Sequence, residues 1–408
     1  MNILVVTPWF PDHPNDQHGN FVLDSIESLC AVGHRVHVLV TRPFVPHFRS
    51  DTKRRGCAAI KPEMSWRGFS FVCVQYLSIP RNHLRLVSNQ LYLMGCSGAV
   101  KQAITDHAID VVHAHTEAAG ALACKVAGSM GVPVVTTLHG INRGRLYLAG
   151  FGQPAFMRRA LSCPDHLVLV GAPLLEFVRN YVDTLGHVRV VHNGFRAEGA
   201  VPFCNRSVLG SPDRVQIVSV SNLVEGKGID VNLAALGRPE IAELLHWHYH
   251  VVGDGPLRSV LEAQAQDLNI ANRVTFHGQC GHDEVYQLLS SCDVFSLPSA
   301  PEAFGVAYLE AMACGLLAIG VESQGPSGFI ENGRSGILIH ERDIDGLASR
   351  LLDIFNNPNC YAGLAVAGRD HVWQHFTWKS HAEAMTTVFN EAVARRANIR
   401  HALQKATA

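Results

Sequence analysis

The 408-residue chain carries 34 Lys and Arg against 35 Asp and Glu, a formal net charge of −1, and is long enough for two domains with separate cores. That balance excludes a chain-wide basic surface for nucleic acid. Its 11 cysteines are scattered without a Cys-x-x-Cys pair, which reads as small buried hydrophobes in a reducing compartment, and no apolar run reaches the ~18 residues of a membrane span.

Strand and helix patterns alternate throughout, as in α/β proteins with a parallel sheet covered on both faces. The run Ile3-Leu4-Val5-Val6 has no basic leader before it and is expected to be a first strand, not a signal peptide. A loop from Pro8 to Asn20, a helix over 21–32 and a strand over 35–40 follow. Ligands of open α/β sheets gather at the carboxyl ends of strands. Gly19-Asn20 lies there, and reads either as an ordinary helix entry or as backbone brought close to a phosphate or sugar. Residues 42–85 are basic, with Arg49, Lys53, Arg54 and Arg55, and are interleaved with Phe44, Phe48, Trp66 and Phe69. The segment reads as a solvated face or as a surface that docks on a membrane or binds an acceptor; 84–103 then looks amphipathic.

Asp110 to Thr116 is a strand running into a loop, and its period of two puts His113 and His115 on one face. No further metal ligands lie nearby in the sequence, so zinc is not expected. A strand over 133–138 ends in His139-Gly140, which places His139 where a ligand is met. Strands over 166–170 and 189–192 precede Asn193-Gly194, and residues 193–213 form the linker after which the pattern restarts.

The second half opens with a strand over 215–220 and the loop Ser221-Asn222-Leu223-Val224-Glu225-Gly226-Lys227-Gly228. A lysine between two glycines at a strand end either puts a charge on phosphate or is a solvated loop residue. The strand over 248–252 leads to Gly253-Asp254-Gly255-Pro256, where Pro256 breaks any dinucleotide fingerprint. His246, His248 and His250 alternate along this strand as a solvated or core-edge face, and His277-Gly278 ends another strand where backbone could hold a base. The apolar run Val294 to Pro298 is a buried strand, and Glu302 and Glu310 flank seven residues that begin a helix ending at Gly315. The free amides of Phe304, Gly305 and Val306 and the helix dipole make a seat for phosphate, with Glu302 gripping hydroxyls beside it. Glu310 lies about 9–12 Å farther on, from a rise of roughly 1.5 Å per residue, too far for two carboxylates to share one bond. The plainer reading is a helix with favourable acids near its start. Strands over 316–320 and 336–339 complete the sheet, and a last amphipathic helix follows Phe376-Thr377-Trp378.

Taken in order, these motifs resemble glycosyltransferase family 4, retaining enzymes of the GT-B fold: the opening strand with its Gly19 loop, Val-Val-His113-Ala-His115, Thr-Leu-His139-Gly, Asn193-Gly194, Glu225-Gly226-Lys227-Gly228, Val-Gly253-Asp254-Gly255-Pro256 and Glu302-Ala-Phe-Gly-Val-Ala-Tyr-Leu-Glu310. The resemblance implies two Rossmann-like, doubly wound parallel-sheet domains facing across a cleft. Residues 1–195 would bind the acceptor, 196–375 the nucleotide sugar, and 376–408 would form a helix crossing back to the first domain. It implies that His139, Lys227 and Glu302 are catalytic. Donor binding would fall to Gly19, Asn222, Lys227, Gly253, His277, Gly278, Glu302, Ala303, Phe304, Gly305, Val306 and Glu310, with Lys227 on the diphosphate, Glu302 on sugar hydroxyls and Glu310 on the ribose. No cofactor or metal is implied; the co-substrate is a UDP- or GDP-linked sugar, the acceptor a lipid-linked or surface glycan, and the location cytoplasmic or at the inner membrane face. Two positions depart from the family pattern. Asn222 stands where many members carry Arg, and Gln324-Gly325-Pro326-Ser327-Gly328 replaces a Gly-Gly-x-Pro-Glu loop. The alternatives are a GT-B 2-epimerase and a non-catalytic sugar-nucleotide-binding protein.

Overall fold

The computed structural model describes residues 1–11, 19–44, 63–66, 69–78, 85–140, 153–200, 214–244 and 246–407. Two compact units divide the chain, Met1–His192 with Lys379–Ala408, and Asn193–Trp378. These limits differ by three residues from the 195/196 and 375/376 boundaries read in the sequence. The reason is a local pairing: Phe195 bridges to Thr377, its N–H donates to the Phe376 carbonyl at 3.1 Å, and a Cβ on Gly194 would lie 2.2 Å from the Trp378 nitrogen. Residues 193–195 and 376–378 therefore both belong to the second unit.

The first unit contains β1 (Asn2–Thr7), β2 (Arg35–Pro43), β3 (Glu63–Trp66), β4 (Phe69–Tyr76), β5 (Val111–His115), β6 (Val134–Leu138), β7 (His166–Leu169) and β8 (Val188–Val190). They form one sheet in the order β3-β4-β2-β1-β5-β6-β7-β8. All neighbours are parallel except the antiparallel pair β3 and β4, so the sheet is mixed at one edge. Sequence alone gives neither of these strands, because the basic residues within 42–85 read as a solvated face or a docking surface. Alternation then sorts the core. Ile3, Val5, Val38, Val111 and Val135 pack with the helix Asn20–Ala31 and with Met385 and Phe389 of the last helix, Trp378–Thr407. Leu4, Val6, Leu39, Val112 and Ala114 face the helices Arg85–Asp106 and Glu117–Ala127. Burial on both sides is why β5 and β6 read as unbroken apolar or uncharged runs. The apolar stripe of Arg85–Asp106, namely Tyr92, Cys96, Val100 and Ile104, is core, which settles its amphipathic pattern. Arg49, Lys53, Arg54, Arg55 and Phe48 lie outside the described residues.

The second unit contains β9 (Val215–Val220), β10 (Trp247–Val252), β11 (Val274–Gly278), β12 (Val294–Ser296), β13 (Leu317–Val321) and β14 (Ile337–Ile339), all parallel, in the order β11-β10-β9-β12-β13-β14. This is the 3-2-1-4-5-6 order of a dinucleotide-type sheet, whose direction of winding reverses between β9 and β12. His246 precedes β10 instead of sharing its face, and only His248 and His250 alternate on it.

Candidate active site

A ligand crevice is expected where the winding reverses, outside the carboxyl ends of β9 and β12. The loops that leave those two ends carry Lys227 and Glu302. Lys227 Nζ lies 2.7 Å from Glu302 Oε2, and Ser299 Oγ donates to the same oxygen at 3.1 Å. The Gly-Lys-Gly sequence has a steric cause. Gly226 and Gly228 both hold left-handed backbone, at φ 83° and 74°. A Cβ on them would sit 2.7 Å from the Ala300 carbonyl oxygen and 2.2 Å from that of Pro298. Only glycine lets the lysine loop lie flat against residues 298–300. On its other flank, a Cβ on Gly253 would come 1.9 Å from the Ser221 carbonyl oxygen. Backbone packed on backbone thus forms the floor of the site.

The helix Val306–Ala313 starts beside Glu302, with Gly305 as a left-handed N-cap (φ 94°) and no side-chain cap. The first N–H groups of an α-helix have no acceptor within it, so this end suits an anion. Phe304 itself is buried against Phe329 and serves the core, so only its backbone faces this end of the fold. The Glu302 peptide is gripped from the other side. Its N–H donates to Gln324 Oε1 and its carbonyl accepts from Gly325 N–H, both at 2.8 Å. Glu310 is buried one helical stretch away, where His282 Nε2 approaches its Oε1 at 3.5 Å and stacks on Tyr286. Sequence reasoning missed His282 and Ser299; no spacing marks either.

Asn222 is exposed at the mouth of the β9 loop, and its carbonyl accepts from Val224 N–H at 3.0 Å. The Gly278 carbonyl is taken by Gly253 N–H at 2.7 Å, and the His277 ring by His250 at 2.9 Å. These bonds tie the end of β11 to β10, and Gly278 has only part of its backbone left for a base. Burial, then the neighbouring His248 and His277, push the His250 imidazole down to about 4.

The first unit holds its own cluster at the ends of β5 and β6. His115 Nδ1 and His139 Nε2 are 2.7 Å apart with stacked rings, and Trp9 and Phe21 pack on His139. His113 bonds Thr137 Oγ1 at 2.8 Å, and His381 of the last helix bonds Ser25 Oγ at 2.9 Å and the His192 carbonyl at 2.7 Å. Burial first, then neighbouring imidazoles, hold His113, His115 and His139 well below the usual histidine range, so all three are neutral at pH 7. His113 Nδ1, His115 Nε2 and His139 Nδ1 make no hydrogen bond among the described residues. Thr116, next after His115, has φ 113° and ψ 157°, a region almost reserved for glycine, while its Oγ1 caps the helix Glu117–Ala127. Strain of this kind, on the order of 1–3 kcal/mol, collects at working sites. Gly19 is explained more simply: a Cβ there would lie 2.5 Å from the Trp9 carbonyl carbon, so the chain's own backbone requires the glycine. Among the described residues no group of three or more His, Cys, Asp or Glu is arranged to hold a metal ion.

Comparison with known proteins accounts for this layout. The family model described as Glycosyltransferase Family 4 matches residues 18–198, and that described as Glycosyl transferases group 1 matches residues 205–371. The chain is 26% identical over 407 residues to the glycogen synthase of Mycobacterium tuberculosis, covering 95% of this chain and 94% of that protein. It is 28% identical to the D-inositol 3-phosphate glycosyltransferase of Stackebrandtia nassauensis over 71% and 69% of the two chains. Sucrose-phosphate synthase of Thermosynechococcus elongatus superposes with a TM-score of 0.76 at 19% identity, over 97% of this chain and 99% of that one. Anabaena HepE, solved with UDP and glucose, superposes with a TM-score of 0.66 at 20% identity, over 96% and 99%. The chain is a glycosyltransferase of family 4, and its two Rossmann-like units are those of the GT-B fold.

Proposed function

We propose that this glycosyltransferase moves a hexose from a UDP- or GDP-linked sugar to an acceptor hydroxyl with retention of anomeric configuration. The observation that carries the reading is the Lys227–Glu302 pair, 2.7 Å apart where the second sheet reverses its winding. The ammonium and the uncapped N–H groups of Val306–Ala313 suit a departing diphosphate, and the carboxylate suits sugar hydroxyls. In the step itself the acceptor oxygen bonds to the anomeric carbon on the face the diphosphate leaves. The carbon–oxygen bond to phosphate breaks, and the acceptor proton passes to the departing diphosphate oxygen. Catalysis is then positioning and charge stabilisation, without an enzymic nucleophile or a metal. Buried Glu310 is assigned to the ribose, and neutral His139 to the sugar near the reacting carbon. Donor-linkage NMR of the product, with EDTA present, tests this: an α-linked donor should give an α-linked product, and an inverted linkage refutes retention.

The acceptor we infer is a lipid-linked or surface glycan. Relatives with such substrates in their names include a phosphatidylinositol monomannoside mannosyltransferase of Mycolicibacterium smegmatis, 30% identical over 43% of this chain and 47% of that one. Phe44, Leu77 and Met94 are exposed, and the Phe44 N–H donates to the Tyr76 carbonyl at 2.7 Å, next to Leu77. Phe44 and Leu77 lie, in sequence, on either side of Arg49, Lys53, Arg54 and Arg55, which are outside the described residues. Apolar and basic residues within one stretch of sequence suit an anionic lipid surface. The protein should co-sediment with phosphatidylglycerol vesicles and be released by about 0.5 M salt; recovery in the supernatant at low salt would sink this part. No helix among the described residues is long and apolar enough to cross a membrane.

A further inference from the structure

We propose that Gln324 binds the donor directly: its side-chain N–H groups donate to an oxygen of the sugar nucleotide while its side-chain oxygen holds the Glu302 peptide. The inference rests on the donor site proposed above, and deepens it.

The orientation of an amide side chain is usually assigned from its surroundings, because oxygen and nitrogen look alike. Here the surroundings leave one choice. The Glu302 backbone N–H can only donate, and it points at the Gln324 side chain at 2.8 Å, so the atom facing it is Oε1. The second half of the clamp, Gly325 N–H to the Glu302 carbonyl at 2.8 Å, fixes the backbone that carries the glutamine. A Cβ on Gly325 would lie 2.4 Å from Phe304 Cα, so this loop is seated against the start of the 306–313 helix and has no room to slide. With Oε1 committed, Nε2 is turned away from the Glu302 peptide with two N–H donors. The structure gives it no partner among the described residues, and the side chain is half-buried.

Two donors without charge, on a side chain held to the peptide of the residue whose carboxylate takes Lys227 and Ser299, match an oxygen with free lone pairs. The donor offers two kinds: a phosphoryl oxygen of the diphosphate and a hydroxyl of the sugar. A hydroxyl held between Gln324 Nε2 and the Glu302 carboxylate would accept from one and donate to the other, which rejects a sugar lacking that group. Leaving site groups unpaired is how such discrimination arises.

Two variants separate the donor role from the clamp. Gln324→Glu keeps an oxygen for the Glu302 N–H and removes both N–H donors. Gln324→Met removes clamp and donors together. Calorimetric titration of the full chain with UDP, UDP-glucose, GDP and GDP-mannose reads the result. Both variants should bind the donor roughly 10- to 100-fold more weakly, the loss from one to two good hydrogen bonds. For Gln324→Glu the loss should persist at about 0.5 M salt, where long-range repulsion is screened. A loss shared by the nucleoside diphosphate alone assigns the phosphoryl oxygen, and a loss confined to the sugar nucleotide assigns the hydroxyl. Wild-type affinity in Gln324→Glu at high salt overturns the proposal, including when Gln324→Met is impaired, because only the clamp would then matter. If instead the unaltered protein binds none of the four, or binds them equally well as Lys227→Ala, the donor site itself is wrong and the fault does not lie with Gln324.

Discussion

Replacing Lys227 by alanine should lower kcat by about 100- to 1,000-fold, the usual cost of deleting one preorganised group that meets developing charge. Among the described residues the ammonium is the one side-chain cation placed on Glu302, and in the mechanism proposed above the sugar nucleotide draws it onto the leaving diphosphate. The fold should survive. The Lys227 side chain is 28% exposed, so its pair contributes about 1 kcal/mol or less once solvent screening is allowed for. Glu302 would keep its bond from Ser299. Glu302→Gln should behave differently from Lys227→Ala. It frees the ammonium from its carboxylate, so UDP or GDP alone should bind more tightly while transfer falls. Single-turnover kinetics with a radiolabelled donor, read beside calorimetry of the bare nucleotide, separates the two. Unchanged turnover in Lys227→Ala would remove the lysine from the mechanism.

Acid should unfold the first unit earlier than neutral surfaces would suggest. His113, His115, His139 and His381 are buried, and burial leads the causes that depress each, His381 to about 4. In the unfolded chain they titrate near the ordinary histidine value of 6.5. Below that pH the unfolded state binds more protons than the folded one, so stability falls as pH drops from 6.5 toward the folded values and is regained above 6.5. Each group contributes about 1.4 kcal/mol per pH unit in that window, so four together contribute about 5.5 per unit. Against a total of roughly 5–15 kcal/mol this is a large fraction. The melting temperature should therefore drop by at least about 10 °C between pH 7 and pH 5, and His113→Asn should lose about a quarter of the slope. A flat profile over that range would mean that the cluster is not buried neutral.

Much of the fold was legible because both sheets obey simple periodicities. β5, β6 and β12 are unbroken buried runs, and the restart after Asn193 marks the second unit. The strands β3 and β4 near one edge were not legible, since Phe69 to Tyr76 follows a basic stretch and alternation there competes with a charge pattern. In the site, Lys227 and Glu302 could be named from spacing, but their 2.7 Å contact could not. It depends on carbonyl groups 70 residues away that only two glycines let approach. His282 was invisible for a different reason: it meets Glu310 through the packing of separate helices, and no local pattern reports that. The histidine face of β5 was legible as a face, yet its pairing with His139, the residue after β6, comes from strand register.

The interlocked loops under the proposed donor site have a consequence for how substrate preference can change. Their contour is drawn largely by peptide groups in contact, at Gly226, Gly228, Gly253 and Gly325. A relative can thus inherit the same bed whatever it transfers. On the donor-site reading proposed above, selectivity is left to a few side chains, Asn222, Lys227, Glu302 and Gln324, and a new preference needs only one or two exchanges among them.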